Sequence, residues 1–164
     1  TDGQIFLESS LFFSGMRPAV NVGLSVSRVG GDAQTKAMKK AAGSLRIDLA
    51  QYREMEVFTQ FSSDLDDATK EQLEYGSGLM ELLKQPLGKP MSLADKVITL
   101  CAARHKAMLG IPTAKVKGFQ MDMLSYFASA HPEIAREIEE TKDLSKELSQ
   151  KIVEIAEEFK KSRC

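Results

Sequence analysis

The chain has 164 residues, of which 43% are hydrophobic and 27% charged, and its formal net charge is −1. This composition is that of a folded globular protein, and a net charge so close to zero gives no overall field that would attract nucleic acid or an acidic membrane. With two cysteines and no tryptophan, the sequence has no disulfide framework, and its low aromatic content disfavours a base-stacking surface.

The first 31 residues are poor in charge and rich in glycine, and they predict strand and loop. Gln4–Glu8 is a short apolar run typical of a buried strand, and the valine-rich stretch Val20–Val29 is its one obvious partner. Leu11–Asn21 contains glycine and proline, which favours a loop. The glycine pair Gly30–Gly31 ends the extended segment, and Asp32 is placed to cap the helix that follows.

From Ala33 onward the apolar residues repeat every 3.6 positions, which predicts a bundle of five or six helices. The first predicted helix runs from Ala33 to about Phe61, and a turn with caps at Ser62–Asp67 leads into a second helix that ends at about Lys84. The third begins at the capping box Ser92–Asp95 and ends at Gly110–Pro112, and the fourth runs through Val116–Phe127. The remainder is helical from Pro132, after a cap at His131. Gly43 costs roughly 1 kcal/mol relative to alanine inside the first of these, so we expect a bend there.

The fold class is therefore mainly α, a multi-helix bundle preceded by a short strand-and-loop segment, with a boundary between residues 1–31 and 32–164. No apolar run approaches the roughly 20 residues needed to span a bilayer, and no signal peptide opens the chain, so we expect no direct membrane insertion. The chain starts with Thr1 instead of methionine, so we expect a processed product or an excised piece of a longer protein.

The sequence contains little that suggests self-contained chemistry. Cys101 and His105 lie four residues apart, where they could share a metal ion, but no further ligand is suggested nearby, and a buried cysteine beside a half-buried histidine is the ordinary interpretation. We predict no metal site. Two carboxylate pairs lie in charge-rich stretches typical of solvated faces or caps: Asp64 with Asp66, and Glu139 with Glu140. No phosphate-binding glycine loop is present.

Arg28 resists this ordinary interpretation. It lies in the stretch Ser25–Gly31, which is otherwise uncharged and rich in small residues. A guanidinium is planar, always protonated and suited to phosphate oxygens, so an arginine projecting from such a turn is a candidate functional residue. A surface ion pair is the alternative.

These motifs resemble the alpha subunit of F-type ATP synthase, over most of the sequence and most strongly in residues 1–85. The stretches that carry the resemblance are Asp2–Glu8, Arg17–Asn21, Gly23–Gly31, Ala33–Lys36, Leu49–Glu54 and Phe61–Asp66. The resemblance implies that residues 1–31 are the end of an α/β nucleotide-binding domain and that residues 32–164 are the helical C-terminal domain. The family's phosphate loop and amino-terminal β-barrel are absent from the 164 residues.

The resemblance also implies roles for particular residues. Arg28 matches the arginine finger that the alpha subunit inserts in trans into the catalytic site of a beta subunit. Arg17, Pro18 and Gln85 match positions that line the non-catalytic nucleotide site of alpha. Family members usually have a second glutamine two residues after Gln85, where this sequence has Leu87, a departure that affects the contact to the base. The nucleotides are ATP and ADP with Mg²⁺ in the whole complex, and no cofactor is expected for these residues alone.

The remaining implications concern the complex. Its partners are beta subunits and a central rotor that faces Phe61–Asp66, and it translocates protons while peripheral to a bacterial inner membrane on the cytoplasmic side, or on the matrix or stroma side in an organelle. The complex is an ATP synthase and ATPase, but we do not expect these 164 residues to be catalytic alone. We expect residues 1–31 either to extend away from the bundle or to pair in a non-physiological oligomer. A stand-alone helical interaction module and a related hexameric ATPase are the alternatives.

Overall fold

Helices make up most of the protein, as the apolar periodicity predicts. The computed structural model describes residues 2–59 and 65–163. Along these residues the elements are β1 Gly3–Gln4, α1 Ser9–Phe13, β2 Val26–Ser27, α2 Arg28–Ala33, α3 Lys36–Ala41, α4 Leu45–Thr59, α5 Asp67–Leu83, α6 Leu93–Arg104, α7 Thr113–Ala130, α8 Pro132–Thr141 and α9 Lys146–Arg163. The mainly α fold class is confirmed.

The core lies around α6, which packs against α3, α7, α8 and α9, while α5 packs against α4 and α7. The largest fully buried apolar side chains come from α6 to α9 and include Phe127, Ile98, Met123, Ile134 and Ile152. Full burial of a side chain of this size stabilises the fold by about 1.5–3 kcal/mol. The apolar stripes of the second half of the sequence therefore face the core, as the periodicity predicts.

The predicted helix starts are largely confirmed. The Ser92 hydroxyl accepts a hydrogen bond from the backbone N–H of Asp95 at 3.0 Å, and Asp66 accepts one from Thr69 at 2.7 Å. His131 occupies the N-cap position of α8 with Pro132 in the first turn, but its side chain makes no capping hydrogen bond.

The bundle has more helices than predicted because two long stretches are broken. The expected helix from Ala33 to about Phe61 is split into α3 and α4, with the break at the expected Gly43. The last stretch is split into α8 and α9 at Lys142, which has a left-handed backbone with φ of 53°. Seven helices thus follow residue 35 among the described residues, in place of five or six.

The prediction of a buried strand at Gln4–Glu8 is wrong in extent and in burial. Only Gly3–Gln4 forms a strand, paired antiparallel with Val26–Ser27 as the valine-rich stretch suggests, and one isolated bridge joins Leu7 to Val20. Leu7 is 71% exposed, because the described residues place no second layer over this ribbon. The predicted loop also contains a helix, α1, which its single turn and lack of apolar period conceal.

The glycine pair lies inside α2 and does not end the extended segment. The Ser27 hydroxyl caps this helix by accepting from the N–H of Gly30 at 2.8 Å, a bond that offsets the conformational cost of glycine. Asp32 does not cap the next helix; Thr35 does. Helix α2 runs through residues 31 and 32, and the domain boundary there stays a prediction.

The first segment, residues 2–31, is attached to the bundle and does not extend away from it, so the first of the two expected alternatives is wrong. Nη2 of Arg46 donates to the carbonyl of Gly23 at 3.2 Å, and the N–H of Gln85 donates to the carbonyl of Arg17 at 2.9 Å. Self-association through residues 1–31 stays a prediction. Over residues 2–59 and 65–163, every helix is too short or too polar to cross a membrane.

Helix α3 is fastened to the turn between α8 and α9. The N–H of Ala37 donates to the carbonyl of Lys142 at 2.9 Å. Nζ of Lys40 donates to the Asp143 carboxylate at 2.6 Å and to the carbonyl of Leu144 at 3.0 Å. The beginning and the end of the bundle are therefore joined directly.

Candidate functional site

Arg28 is the first residue of α2, directly after the strand β2. Its side chain is exposed. Within residues 2–59 and 65–163, its guanidinium makes no hydrogen bond or ion pair. The alternative of a surface ion pair is thus unsupported by the part of the protein that the structure describes, and the guanidinium is free to meet an anion outside it.

The backbone on both sides of Arg28 is held in place by Asp2. One oxygen of the Asp2 carboxylate accepts hydrogen bonds from the Ser27 hydroxyl at 2.8 Å and from the N–H of Val29 at 3.0 Å. Gly3 allows the two strands to approach, because a Cβ at that position would stand 1.9 Å from the carbonyl oxygen of Val26. Arg28 therefore projects from a fixed point. Sequence reasoning does not single out Asp2, since nothing in the local spacing shows that it reaches Ser27.

The structure brings Arg17, Pro18 and Gln85 together in one open groove of about 770 Å³. Arg17 and Pro18 follow α1, whereas Gln85 follows α5, and the backbone hydrogen bond between Gln85 and Arg17 joins the two segments. Arg28 is not among the residues that line this groove. The predicted site residues thus fall into two groups, with Arg28 separate from the other three.

The groove is mostly apolar, with a few polar groups that could orient a ligand. The guanidinium of Arg17 lies over the ring of Phe12, 4.4 Å from its centre, which fixes the cation through a cation–π contact. Leu87 is fully exposed on the opposite segment and adds apolar surface where a glutamine would offer an amide. Lys89 also lines the groove and supplies a second cation. Sequence reasoning does not single out Phe12 or Lys89, because their place at the groove depends on the packing of two segments far apart in the sequence.

Cys101 and His105 are each engaged in contacts within the bundle. The Cys101 thiol is buried at 3.2 Å from the Ser149 hydroxyl, and burial raises its pKa, which disfavours the thiolate that a metal needs. Nδ1 of His105 lies 2.9 Å from the carbonyl of Cys101. No cluster of metal-ligating side chains occurs anywhere in the described ranges.

Two of the carboxylates singled out in the sequence, Asp66 and Glu139, act as a cap and as an ion-pair partner. Asp66 caps α5, and Asp64 lies outside the described residues. Glu139 accepts from Nζ of Lys142 at 2.6 Å and from the N–H of Ala94 at 3.1 Å. The bond from Lys142 is the larger cause of the lowered pKa of Glu139. A carboxylate held ionised in this way is unsuited to donate a proton as a general acid.

Comparison with known proteins shows the family to which this sequence belongs. Residues 34–159 match the family model described as the C-terminal domain of the ATP synthase alpha/beta chain. The sequence is 54% identical over 161 residues to an ATP synthase subunit alpha from Clostridium kluyveri, covering 98% of the present protein and 32% of that one. It is 51% identical to the subunit alpha of Petrotoga mobilis, over 97% of the present protein and 32% of that one.

A third organism gives the same result. The identity to the subunit alpha of Mycolicibacterium smegmatis is 50% over 161 residues, which is 98% of the present protein and 29% of that one. The 164 residues thus span about a third of the length of the relatives that they match.

Proposed function

Because this protein belongs to the family defined by the C-terminal domain of ATP synthase alpha and beta subunits, we propose that it is the C-terminal part of an F-type ATP synthase alpha subunit that supplies Arg28 in trans to a beta-subunit catalytic site. The observation that carries the proposal is the exposed guanidinium of Arg28, which lacks a partner among the described residues and stands on a backbone fixed by Asp2.

The chemistry of phosphoryl transfer explains why such an arginine would matter. Negative charge spreads over the γ-phosphate oxygens in the transition state, and a guanidinium already fixed in position stabilises it without reorganising. An arginine finger contributes about 10³–10⁵ in rate, or about 4–7 kcal/mol. Since the nucleotide and Mg²⁺ would be bound mainly by the beta subunit, Arg28 would act on the rate and not on nucleotide affinity.

The test is the variant Arg28→Ala in the reassembled alpha/beta ring. We expect steady-state ATP turnover to fall by about 10³–10⁵, with nucleotide affinity at the beta site nearly unchanged. The matched control is Arg136→Ala, which removes an arginine from α8 and should leave turnover unchanged. Turnover near the wild-type value in Arg28→Ala would overturn the assignment.

We also propose that the groove formed by Arg17, Pro18 and Gln85 binds a nucleotide that does not turn over, with the apolar walls holding a base. Its volume of about 770 Å³ lies within the usual range for small-molecule sites, and Arg17 and Lys89 provide positive charge. In the assembled ring, Arg17→Ala should lower retention of Mg–ATP at this site. Leu87→Gln should raise it by restoring an amide. Equal retention of Mg–ATP in the wild type, Arg17→Ala and Leu87→Gln would exclude a nucleotide site in this groove.

The remaining parts of the proposal concern assembly. We propose that the helical bundle packs at one end of an alpha/beta ring around a rotor, in a proton-translocating complex peripheral to the membrane on its cytoplasmic, matrix or stroma side. Val57 and Phe58 support a contact there, because both are exposed at the end of α4, just before Phe61–Asp66. Residues 61–64 of that stretch lie outside the described residues. The stand-alone module would be favoured instead if the gene encoded no phosphate loop upstream.

A further inference from the structure

Lys117 holds the end of α5 from a neighbouring helix. It lies half-buried on α7, and its Nζ donates to the carbonyl of Lys84 at 2.5 Å and to that of Leu82 at 3.3 Å. These are the last carbonyls of α5, which have no donor within their own helix. An ammonium with three protons can serve both. Burial lowers the pKa of Lys117, and Glu81 on α5 partly opposes this effect.

The backbone after α5 leads directly into the groove. Lys84 is the C-cap residue, with an extended backbone at φ −66° and ψ 132°, and its side chain pairs with Glu81. The next residue, Gln85, donates its N–H to the carbonyl of Arg17 at 2.9 Å. Lys117 therefore binds the backbone at Lys84, one residue before Gln85, where the backbone leaves α5 and its direction toward the groove is set.

We propose that Lys117 is a positioning residue for the nucleotide groove: its ammonium fixes the exit of the backbone from α5 and, through Gln85, the wall of the groove formed by residues 85–90. This inference rests on the proposed function of the groove and names a residue outside its lining. Lys117 is not among the residues that line the groove, so its effect on a ligand would pass through the carbonyl of Lys84 and the segment that begins there.

Substitutions at this position separate the ammonium from the packing of its stem. Methionine keeps an unbranched side chain of similar length but donates no hydrogen bond, whereas arginine keeps donors and charge. Lys115 is the matched control, because it is an exposed lysine on the same helix, two residues earlier. A general effect of removing a lysine from α7 would appear in both Lys117→Met and Lys115→Met.

The experiment measures Mg–ATP affinity in the assembled ring with full-length alpha, counting only the part of the binding that is lost in Arg17→Ala. We expect affinity about tenfold weaker in Lys117→Met, the size of one lost charge-assisted interaction, and near-wild-type affinity in Lys117→Arg and Lys115→Met. Unchanged affinity in Lys117→Met overturns this inference and leaves the groove proposal intact. Absence of Arg17-dependent binding in the wild type overturns both.

A pH titration provides a second measurement that does not depend on the methionine variant folding. As the pH rises toward the pKa of Lys117, the ammonium loses its proton, so the wild-type affinity should fall more steeply than that of Lys117→Arg. Lys84 and Glu81 face Lys117 from α5, and Lys89 lines the groove, but all three are present in both proteins. Parallel pH profiles would overturn the inference.

Discussion

Nη1 of Arg53 donates a hydrogen bond to the side-chain oxygen of Asn21 at 2.9 Å, and this contact joins the charge-poor first segment to α4. Asn21 is 5% exposed. The same oxygen accepts from the N–H of Leu24 at 3.0 Å, and the Asn21 amide donates to Glu8 at 2.5 Å. One buried amide thus connects three parts of the first segment with the bundle.

Replacing Asn21 by alanine should destabilise the protein, because the N–H of Leu24 and the guanidinium of Arg53 would lose the oxygen that accepts their part-buried hydrogen bonds. We expect the free energy of unfolding to fall by about 1–3 kcal/mol, measured by urea denaturation. Gln51→Ala is the control, since Gln51 is exposed and accepts only a 3.4 Å bond from Gln72. It should cost less than about 0.5 kcal/mol. Equal effects would mean that Asn21 does not anchor the segment.

Arg28→Ala should leave stability unchanged, in contrast to its expected effect on turnover. The guanidinium is exposed and has no partner in the described ranges, so its removal should shift the free energy of unfolding by no more than about 0.5 kcal/mol. Thermal unfolding of the 164-residue protein checks this, with Arg53→Ala as the comparison that should lower the midpoint. A comparable loss in both variants would show that Arg28 is structural.

The 164 residues studied without a larger protein should self-associate through the first segment. Ile5 is 75% exposed and Leu7 71%, beside a strand, β1, whose second edge is unpaired among the described residues. An apolar edge of this kind pairs with another copy. Sedimentation velocity at rising concentration should show a dimer that the double variant Ile5→Lys, Leu7→Lys abolishes. Leu87→Lys, which changes an exposed leucine in the loop after α5 and outside residues 2–31, should not. A strict monomer would contradict this expectation.

Stability should fall in acid through Asp143. A hydrogen bond from Lys40 lowers the pKa of the Asp143 carboxyl in the folded protein. A depressed folded pKa stabilises the fold at pH values above the unfolded pKa of about 3.9, and the contribution is lost as the pH falls through the folded value. Asp143→Asn should therefore unfold with a shallower pH dependence below about pH 4 in urea denaturation. Lys40→Met should have the same effect, and a slope identical to the wild type in both variants would exclude the pair.

The helices that sequence reasoning predicts best are those whose stability depends on a long apolar stripe. Helices α5, α6 and α7 each have such a stripe, and the caps at Asp66 and Ser92 can be recognised in the sequence. The predicted end of α6 at Gly110–Pro112 is wrong, because the helix ends at Arg104 and Lys106 has a left-handed backbone with φ of 59°. The turn at Lys142 lacks glycine, so nothing in the local sequence marks the left-handed residue there. Helix α2 is concealed for the opposite reason: its two glycines indicate a break, and the bonds made by Ser27 and Asp2 override them.

The candidate site can be predicted only in part from the sequence, for a similar reason. Arg28 can be singled out locally, because an arginine among small uncharged residues is unusual. The meeting of Arg17 with Gln85 cannot, since it depends on how α5 packs and where the backbone leaves it. Resemblance to a family predicts that these residues belong together, and they line one groove in the structure, which does not test the ligand. Lys117 has no local signal at all, because its role depends on a contact between helices.

The hydrogen bonds between α3 and the turn after α8 join two parts of the bundle that are far apart in the sequence. A proteolytic cut between Lys142 and Leu144 would release Lys40 and Ala37 together, although the cut lies about a hundred residues further along the sequence. We therefore expect such a cut to loosen α3, the helix that follows α2 in the sequence. The turn between α8 and α9 thus helps to hold a helix that is separated from α2 by two residues in the sequence.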